Sequence, residues 1–316
     1  MKIFVTKQIP GEHLEKLKNV GYEVLVVEPL EKIKDSDALL TLLTDRVDGD
    51  LMDAAGPGLK VISNYAVGYD NIDIKAASDR GIVVANTPCD EVNEAVAEHT
   101  WALILALARK IVESDEFIRD RGYFAGKGGY KGWEPDLFLG TNLIGKTLGI
   151  VGLGRIGTMV ARRAQGYNMR LLYFKHTDDA SVLNTLLSES DFVTLHIPLT
   201  EETRHMINKE TLSKMKKGAF LVNTARGPVV SEPDLVEALK NGHLAGAALD
   251  VFDNEPKISP ELIAMPNVIL TPHIASATWE ARNKMGELAV AAILDALSGA
   301  KPQNLVNEEV WPSRRK

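Results

Sequence analysis

Three side chains that could act together in catalysis follow short apolar runs in the second half of the sequence. Arg226 follows "AFLVNTA", Glu255 lies in "LDVFDNEP" and His273 ends "VILTPH". An arginine fork binds a carboxylate and polarises a neighbouring ketone, and a histidine can donate a proton to a developing alkoxide. A carboxylate beside the histidine would fix its tautomer. This set is typical of the reduction of a 2-oxo acid, with Arg226, Glu255 and His273 as the catalytic residues.

Each of these residues also has an ordinary structural interpretation. Arg226 could be a surface ion-pair partner, Glu255 could begin a helix, and His273 could be a turn residue. All three follow apolar runs downstream of one glycine-rich turn, and α/β sheets bind ligands at the carboxyl ends of their strands. The joint pattern therefore favours catalysis. His205 and His243 lie in polar surroundings and are interpreted as solvated.

The glycine-rich turn predicts a dinucleotide site. Gly152, Gly154 and Gly157 have G-x-G-x-x-G spacing, after an apolar strand and at the start of a helix, which is the context that the motif requires. The free N–H groups and the dipole at the amino end of this helix attract phosphate. We therefore expect the pyrophosphate of a dinucleotide to bind there.

The next strand bears on the choice of cofactor. In an NAD site, an acidic residue at its tip usually binds the ribose hydroxyls, but here Lys175 and His176 follow "RLLYF". Together with Arg155 they would attract a 2′-phosphate, so we expect NADP. A solvated basic tip that still binds NAD is the alternative. His196, in "LHIPLT", is expected to line the nicotinamide side rather than to transfer the proton.

The elements that position these residues alternate along the chain. Apolar runs without polar alternation, separated by helical patterns, predict parallel strands covered on both faces. We predict an α/β protein with two doubly wound, Rossmann-like parallel sheets. The closing helix has no strand after it and should return to the first block. The expected domains are a discontinuous, flavodoxin-like substrate-binding domain, 1–95 plus 276–316, and a dinucleotide-binding domain, 96–275.

Composition narrows the class of protein. The chain has 316 residues, a net charge of -7 and one cysteine, Cys89. The negative charge argues against general binding to nucleic acid or to an acidic membrane surface, and the most apolar helix is too charged to span a bilayer. The single cysteine and the lack of a signal-peptide pattern fit the cytoplasm. We expect no metal site.

Several motifs occur in an order that resembles one enzyme family. "GLGRIG", "LHIPLT", "NTARG", "LDVFDNEP" and "TPHIAS" look like the D-isomer-specific 2-hydroxyacid dehydrogenases. "LLTLLTD", "NYAVGYDNID" and "GWEPDLFLG" most resemble the glyoxylate/hydroxypyruvate reductase branch. The resemblance covers nearly the whole chain. It implies two domains with the active site in a cleft between them, and NAD(P)H-dependent reduction of glyoxylate or hydroxypyruvate to the D-2-hydroxy acid.

The same resemblance assigns further residues and a partner. Val67 and Gly68 would offer backbone N–H groups to the substrate carboxylate, and Leu43 would shape the side-chain pocket. The cofactor contacts that it implies are Thr100, Arg155, Ile156, Pro198, Ala225 and Asp250. It also implies a homodimer, in which Trp133 of the Gly-rich arm (residues 121–140) reaches the partner's cleft.

One departure and three alternatives accompany this interpretation. The segment from Lys175 to Asp191 is short, whereas the family usually has another strand and helix there, beside the adenosine end of the cofactor. D-3-phosphoglycerate dehydrogenase or another D-2-hydroxyacid dehydrogenase are alternative enzymes. A nucleotide-sensing, corepressor-like binding protein is the non-enzyme alternative, and the complete Arg–Glu–His set argues against it.

Overall fold

The computed structural model describes residues 1–27, 33–120 and 133–316. The amino-terminal part of the arm, 121–132, lies outside these residues. The described chain divides into two compact units, Met1–Val92 with Ala277–Lys316, and Asn93–Ser276. Each unit has its own parallel sheet, so the predicted α/β class with two parallel sheets is confirmed.

The first unit is built on five parallel strands in the order β2-β1-β3-β4-β5. These are β1 (Lys2–Val5), β2 (Glu23–Val26), β3 (Ala38–Thr41), β4 (Val61–Asn64) and β5 (Val83–Ala85). Its helices are α1 (His13–Asn19), α2 (Gly49–Ala55), α3 (Ile74–Asp79) and α11 (Trp279–Ser298). The central strands β3 and β4 are buried along their whole length, because a parallel sheet of this kind is covered on both faces.

The closing helix α11 packs on the first sheet, as the sequence predicts. The hydroxyl of Ser63 in β4 donates a hydrogen bond of 3.0 Å to the carbonyl of Ala289. Thr278 caps the amino end of α11 with its side chain, and Gly299 ends the helix with a φ of 89°. Only glycine adopts this left-handed conformation at no steric cost, so the sequence itself fixes where α11 stops.

The chain after α11 runs beside β5 and covers that edge of the first sheet. The N–H of Val306 donates to the carbonyl of Val84 at 2.8 Å. The Asn307 side chain is 1% exposed; it accepts the N–H of Val84 at 2.8 Å and donates to the carbonyl of Ile82 at 2.9 Å. The carboxyl-terminal segment thus takes up hydrogen-bonding groups that an edge strand would leave open.

The second unit contains six parallel strands in the order β11-β10-β9-β8-β6-β7. These are β6 (Thr147–Val151), β7 (Arg170–Phe174), β8 (Phe192–Leu195), β9 (Ala219–Asn223), β10 (Leu244–Leu249) and β11 (Val268–Leu270). The helices are α4 (Asp90–Arg109), α5 (Ile111–Asp120), α6 (Arg155–Ala164), α7 (Ala180–Glu189), α8 (Lys209–Lys214), α9 (Glu232–Lys240) and α10 (Pro260–Ile263). The division between the units falls in the first turn of α4. The sequence predicts one long helix over α4 and α5, but Lys110, with a φ of 51°, interrupts it.

Strand β7 lies at an edge of the second sheet and pairs with β6. The connection from β7 to β8 contains a single helix, α7. This agrees with the short segment noted in the sequence, since no additional strand stands beyond β7 in the described residues. Tyr173 on β7 is 50% exposed. Within the described residues no strand pairs with the outer edge of β7, in contrast to the edge of β5, which the carboxyl-terminal segment covers.

Among the described residues, the two longest helices are α4 and α11, each of 20 residues. Both carry charged residues along their length. None of the helices described here combines the length and the apolar composition that crossing a bilayer requires.

Candidate active site

The three predicted catalytic residues follow neighbouring strands of the second unit. Arg226 follows β9, Glu255 lies in the loop after β10, and His273 follows β11. The three strands are adjacent and parallel, so their carboxyl ends lie at one edge of the sheet. This is the edge at which α/β sheets bind ligands.

The imidazole of His273 and the carboxylate of Glu255 are in direct contact. Nδ1 of His273 lies 2.9 Å from Oε2 of Glu255. Because a carboxylate only accepts hydrogen bonds, Nδ1 carries the hydrogen, and Nε2 is the nitrogen left for a substrate. Oε1 of Glu255 accepts the N–H of Phe252 at 2.9 Å, which fixes the carboxylate. The two side chains are 25% and 27% exposed, so a small molecule can reach them.

A buried aspartate, Asp250, holds the turn that carries His273. His273 has a φ of 53°, which is an unfavourable left-handed conformation for a residue with a side chain. Its N–H donates to the carbonyl of Asp250 at 2.8 Å. From the turn after β11, the carboxylate accepts three hydrogen bonds: from the hydroxyl of Thr271 at 2.6 Å, from the N–H of Ile274 at 2.9 Å and from the N–H of Ala275 at 2.8 Å. The surroundings thus impose the conformation of His273.

Asp250 is fully buried and nevertheless favours its ionised form. Burial alone raises the pKa of a carboxyl group, but hydrogen bonds from His99, Thr271 and the two backbone N–H groups outweigh it and leave the pKa of Asp250 lowered. Nε2 of His99, in α4, lies 3.5 Å from Oδ1 of Asp250. Both carboxylate oxygens are thus engaged within the second unit. The resemblance assigns Asp250 to the nicotinamide end, and in the structure its side chain supports the turn that carries His273.

Arg226 is held by contacts of its backbone and of its guanidinium group. Asn223, 1% exposed, donates its side-chain amide to the carbonyl of Arg226 at 2.9 Å and accepts the N–H of Ala225 at 3.0 Å. Nη1 of Arg226 donates to the carbonyl of Ala225 at 2.8 Å. Gly227 packs so closely that a Cβ there would overlap the backbone carbonyl of Phe252. The loop of Arg226 and the loop of Glu255 therefore lie against each other.

Glu232, at the start of α9, supports the loop that carries Glu255. Its Oε1 accepts the N–H of Asp253 at 2.8 Å. Burial raises the pKa of Glu232, the charge of Asp253 raises it further, and the bound N–H opposes both. Nε2 of His205 lies 3.5 Å from Oδ2 of Asp253, and the His205 side chain is 45% exposed. His205 is thus exposed, in agreement with its interpretation as solvated.

The glycine-rich turn leaves room for a phosphate. A Cβ at Gly152 would overlap the carbonyl of His196, and a Cβ at Gly157 would overlap the carbonyl of Gly152, so both positions require glycine. A Cβ at Gly154 would meet no atom within 4 Å, so Gly154 borders open space at the amino end of α6. Open space beside the free N–H groups of a helix start fits the pyrophosphate of a dinucleotide.

Lys175 and His176 are exposed at the carboxyl end of β7. The N–H of Lys175 donates to Oδ2 of Asp178 at 2.7 Å, so this carboxylate folds back onto the strand tip. Nζ of Lys175 lies 5.5 Å from the centroid of the Tyr173 ring, within range of a weak cation–π interaction. Few contacts therefore determine where these basic groups point.

His196 follows β8 and lies against the glycine-rich turn. Its Nε2 is 3.0 Å from the hydroxyl of Thr194. Burial of the ring lowers the pKa of His196 to about 3, although the residue as a whole is only partly buried. The imidazole is therefore neutral near pH 7.

The remaining predicted cofactor residues lie at several places in the second unit. Arg155 and Ile156 form the first turn of α6, Ala225 precedes Arg226, and Pro198 is exposed after β8. Thr100 in α4 is fully buried; its hydroxyl donates to the carbonyl of Val96 at 2.8 Å and lies 3.0 Å from the hydroxyl of Thr224. Across residues 1–27, 33–120 and 133–316, no three His, Cys, Asp or Glu side chains come together as a metal site.

The predicted substrate residues Leu43, Val67 and Gly68 belong to the first unit, in the loops after β3 and β4. All three are partly buried. The structure thus brings together Glu255 and His273, places Arg226 on the adjacent strand end, and places these three residues in the other unit.

Sequence reasoning missed the residues that support the site. These are chiefly Asn64, His99, Asn223, Glu232 and Thr271. A usable signal exists for two of them: Asn64 and Asn223 each end an apolar run, "KVISN" and "AFLVN", and a buried amide must find partners. The partners themselves are distant in sequence and emerge only in the fold.

The two sheets and the glycine-rich turn define an NAD-binding protein of the doubly wound α/β class. The family model described as D-isomer specific 2-hydroxyacid dehydrogenase, NAD binding domain, matches residues 101–275. The chain belongs to the D-isomer specific 2-hydroxyacid dehydrogenase family, as its motifs predict.

Similar proteins cover nearly the whole chain. A glyoxylate reductase of Pyrococcus furiosus is 47% identical over an alignment that covers 99% of this chain and 97% of the relative. The TT0316 protein of Thermus thermophilus has a TM-score of 0.89 and 44% identity, covering 97% of this chain and 100% of that chain. An NADPH-dependent glyoxylate/hydroxypyruvate reductase of Sinorhizobium meliloti, solved with NADP and malonate, has a TM-score of 0.84 and 32% identity, with coverage of 100% and 98%.

Proposed function

We propose that this protein reduces glyoxylate or hydroxypyruvate to the D-2-hydroxy acid with a nicotinamide cofactor. The observation that carries the proposal is the 2.9 Å contact between His273 and Glu255, beside Arg226 at the carboxyl edge of the second sheet. The similarity to glyoxylate reductases over 99% of the chain supports the substrate class.

Each residue of the trio has a distinct task in this reaction. Nε2 of His273 donates the proton that converts the ketone or aldehyde oxygen into a hydroxyl. Glu255 accepts the hydrogen on Nδ1, holds the ring in place and stabilises its cationic form. Arg226 binds the substrate carboxylate and polarises the carbonyl. The bound cofactor supplies the hydride.

We propose that the second unit binds the cofactor and that the first unit binds the substrate carboxylate. Residues 96–275 would form the dinucleotide-binding domain, with the pyrophosphate beside Gly154. Residues 1–95 and 276–316 would form the substrate-binding domain. There the N–H groups of Val67 and Gly68 would bind the carboxylate, and Leu43 would limit the size of the substrate.

Within the nicotinamide cofactors we propose a preference for NADP over NAD. Lys175 and His176 are exposed at the tip of β7, where they can meet a 2′-phosphate. The Sinorhizobium meliloti relative, solved with NADP, supports this preference. Asp178 is the group that would favour NAD, because its carboxylate sits at the same tip, 2.7 Å from the N–H of Lys175.

We also propose a homodimer located in the cytoplasm. Trp133, Leu139 and Ile144 are 86%, 65% and 67% exposed, which is unusual for large apolar side chains and fits a covered surface of the second unit. The single cysteine fits a reducing compartment. Analytical ultracentrifugation of the purified chain, with Trp133→Ser as the test variant, checks the dimer.

The decisive experiment measures NADPH and NADH oxidation against a panel of 2-oxo acids, with chiral analysis of the product. We expect glyoxylate or hydroxypyruvate to give the highest kcat/KM, with NADPH preferred. A preference for 3-phosphohydroxypyruvate would instead identify a phosphoglycerate dehydrogenase. Binding of NADPH without turnover of any 2-oxo acid would favour a nucleotide-sensing protein.

A further inference from the structure

In the loop after β4, three consecutive carbonyl groups are held by hydrogen bonds. Ala66 accepts from the N–H of Thr87 at 2.9 Å, Val67 from Nδ2 of Asn86 at 2.7 Å, and Gly68 from Nδ2 of Asn64 at 2.9 Å. Three successive carbonyls with a donor each leave the backbone of this loop little freedom to turn.

The held carbonyls determine where the neighbouring N–H groups point. A peptide group is planar and trans, so its C=O and N–H point in opposite directions. The N–H of Thr87 donates to the Ala66 carbonyl and thereby fixes the N–H of Val67 on the opposite side of that peptide group. In the same way, the Asn86 side chain donates to the Val67 carbonyl and fixes the direction of the N–H of Gly68. Within the described residues, neither of these N–H groups has an acceptor. Adjacent free N–H groups of this kind form an anion-binding concavity.

The two asparagines that donate to the loop are themselves held, Asn64 through its side chain and Asn86 through its backbone. Asn64 is fully buried, and its Oδ1 accepts the hydroxyl hydrogen of Thr41 at 3.1 Å. The N–H of Asn86 donates to the carbonyl of Asn304 at 3.2 Å, and the Asn304 side chain donates to the carbonyl of Asn86. The loop is thus preorganised by amide groups that touch no substrate, which lowers the entropy lost when a ligand binds.

We propose that Asn86 is a positioning residue for the substrate carboxylate, with Asn64 holding the next peptide of the same loop. Asn86 turns the peptide between Val67 and Gly68 so that the N–H of Gly68 meets the carboxylate. This inference rests on the proposed function, since it requires that the substrate is a 2-oxo acid bound by this loop.

The test compares Asn86→Ala and Asn86→Asp with the unaltered protein. The aspartate is isosteric but has no N–H to donate to the Val67 carbonyl. At saturating NADPH, we expect KM for glyoxylate to rise about tenfold in Asn86→Ala and further in Asn86→Asp, as the loss of a hydrogen bond to a charged ligand produces. We expect kcat and KM for NADPH to change less than about twofold.

A probe without the carboxylate charge separates positioning from general loosening. Methyl glyoxylate offers the same aldehyde without the anion, so we expect its kcat/KM to be equal in the Asn86 variants and the parent. Asn19→Ala is the matched control, because it makes the same substitution at an exposed asparagine at the end of α1 and leaves the Val67 carbonyl paired. We expect this control to keep the parent's KM for glyoxylate. Thermal unfolding confirms that each variant is folded.

The outcomes distinguish the inference from its premise. An unchanged KM for glyoxylate in both Asn86 variants, or equal losses with glyoxylate and its methyl ester, would overturn the role of Asn86 and leave the reductase activity standing. A parent protein that reduces no 2-oxo acid would overturn the proposed function and the inference with it.

Discussion

Two strand ends of the second unit differ sharply in how firmly their side chains are held. At the carboxyl end of β11, the turn with His273 is fixed by the carbonyl and both carboxylate oxygens of Asp250, and its imidazole by Glu255. At the carboxyl end of β7, Lys175 and His176 are exposed and the turn is closed mainly by Asp178. The proposed proton donor is thus positioned by many contacts, and the proposed adenosine-binding tip of β7 by few.

This difference separates two tasks of a dehydrogenase. Proton transfer requires a positioned donor, and a small displacement is costly. Attraction of a phosphate by an exposed ammonium group tolerates movement, because a point charge acts over distance. We expect substitutions at the β11 end to remove activity and those at the β7 end to change cofactor preference.

The largest effect is expected from His273→Ala. Without the imidazole no side chain donates the proton, so kcat/KM for glyoxylate should fall on the order of 10³-fold. NADPH binding, measured by fluorescence, should be unchanged. His243→Gln is the matched control, since His243 precedes β10 at the opposite edge of the sheet, and it should keep parental activity. Comparable turnover in His273→Ala would refute the assigned proton donor.

Asp250→Asn tests whether the turn depends on the buried anion. An asparagine side chain has one acceptor oxygen, so it cannot accept hydrogen bonds from Thr271 and from both backbone N–H groups of the turn. His273 should therefore shift, and kcat should fall on the order of 10²-fold. The free energy of unfolding should decrease by about 1–3 kcal/mol. Because the pKa of Asp250 is lowered from 3.8, its stabilisation is present above that pH and is lost as the pH falls through the lower folded value.

Acid unfolding followed by circular dichroism checks this sign. The parent should lose stability more steeply than Asp250→Asn as the pH falls below about 4. Parallel acid-unfolding curves for the two proteins, together with parental kcat in the variant, would show that the anion is dispensable.

Lys175→Asp tests the role of the exposed carboxyl end of β7 in cofactor preference. The carboxylate should repel a 2′-phosphate and bind ribose hydroxyls, so the ratio of kcat/KM for NADPH to that for NADH should fall about tenfold or more. kcat with saturating cofactor should remain within about twofold. Lys217→Asp makes the same charge change before β9 and should leave the ratio unaltered. A parent that already prefers NADH would contradict the assignment of Lys175.

The smallest effect concerns Glu232. Its pKa is raised from 4.5, first by burial, so its favourable contribution is present below that pH and is lost as the pH rises through the folded value. Glu232→Gln keeps an oxygen for the N–H of Asp253 and removes the buried charge. Denaturant unfolding should show a gain of about 0.5 kcal/mol at pH 7 that disappears at pH 4. The exposed Glu237→Gln should show no such pattern.

The sequence predicts much of the fold and of the reacting groups. Alternating apolar runs and helical patterns indicate both sheets, the spacing of Gly152, Gly154 and Gly157 identifies the phosphate turn, and the short run after Lys175 accounts for the edge position of β7. These features are local, so each is visible in a short window of residues.

The contacts that support the site could not be predicted from local sequence patterns. Asp250 meets Ala275, and Asn86 meets Val67, across 25 and 19 positions, and no periodicity encodes such pairs. The left-handed backbone of His273 is equally hidden, because "TPHIAS" contains no glycine that would signal it. Both depend on tertiary contacts that override local preference.

The open side of β7 also has a consequence for engineering. Its outward N–H and C=O groups already have the spacing of a parallel ladder, so a grafted segment can extend the sheet without displacing any existing bond. An insertion between Thr177 and Ala180, long enough for one crossover and one strand, would add a strand beside the proposed adenosine-binding tip of β7. The chain thus offers an attachment point for added length that is remote in sequence from the proposed catalytic residues.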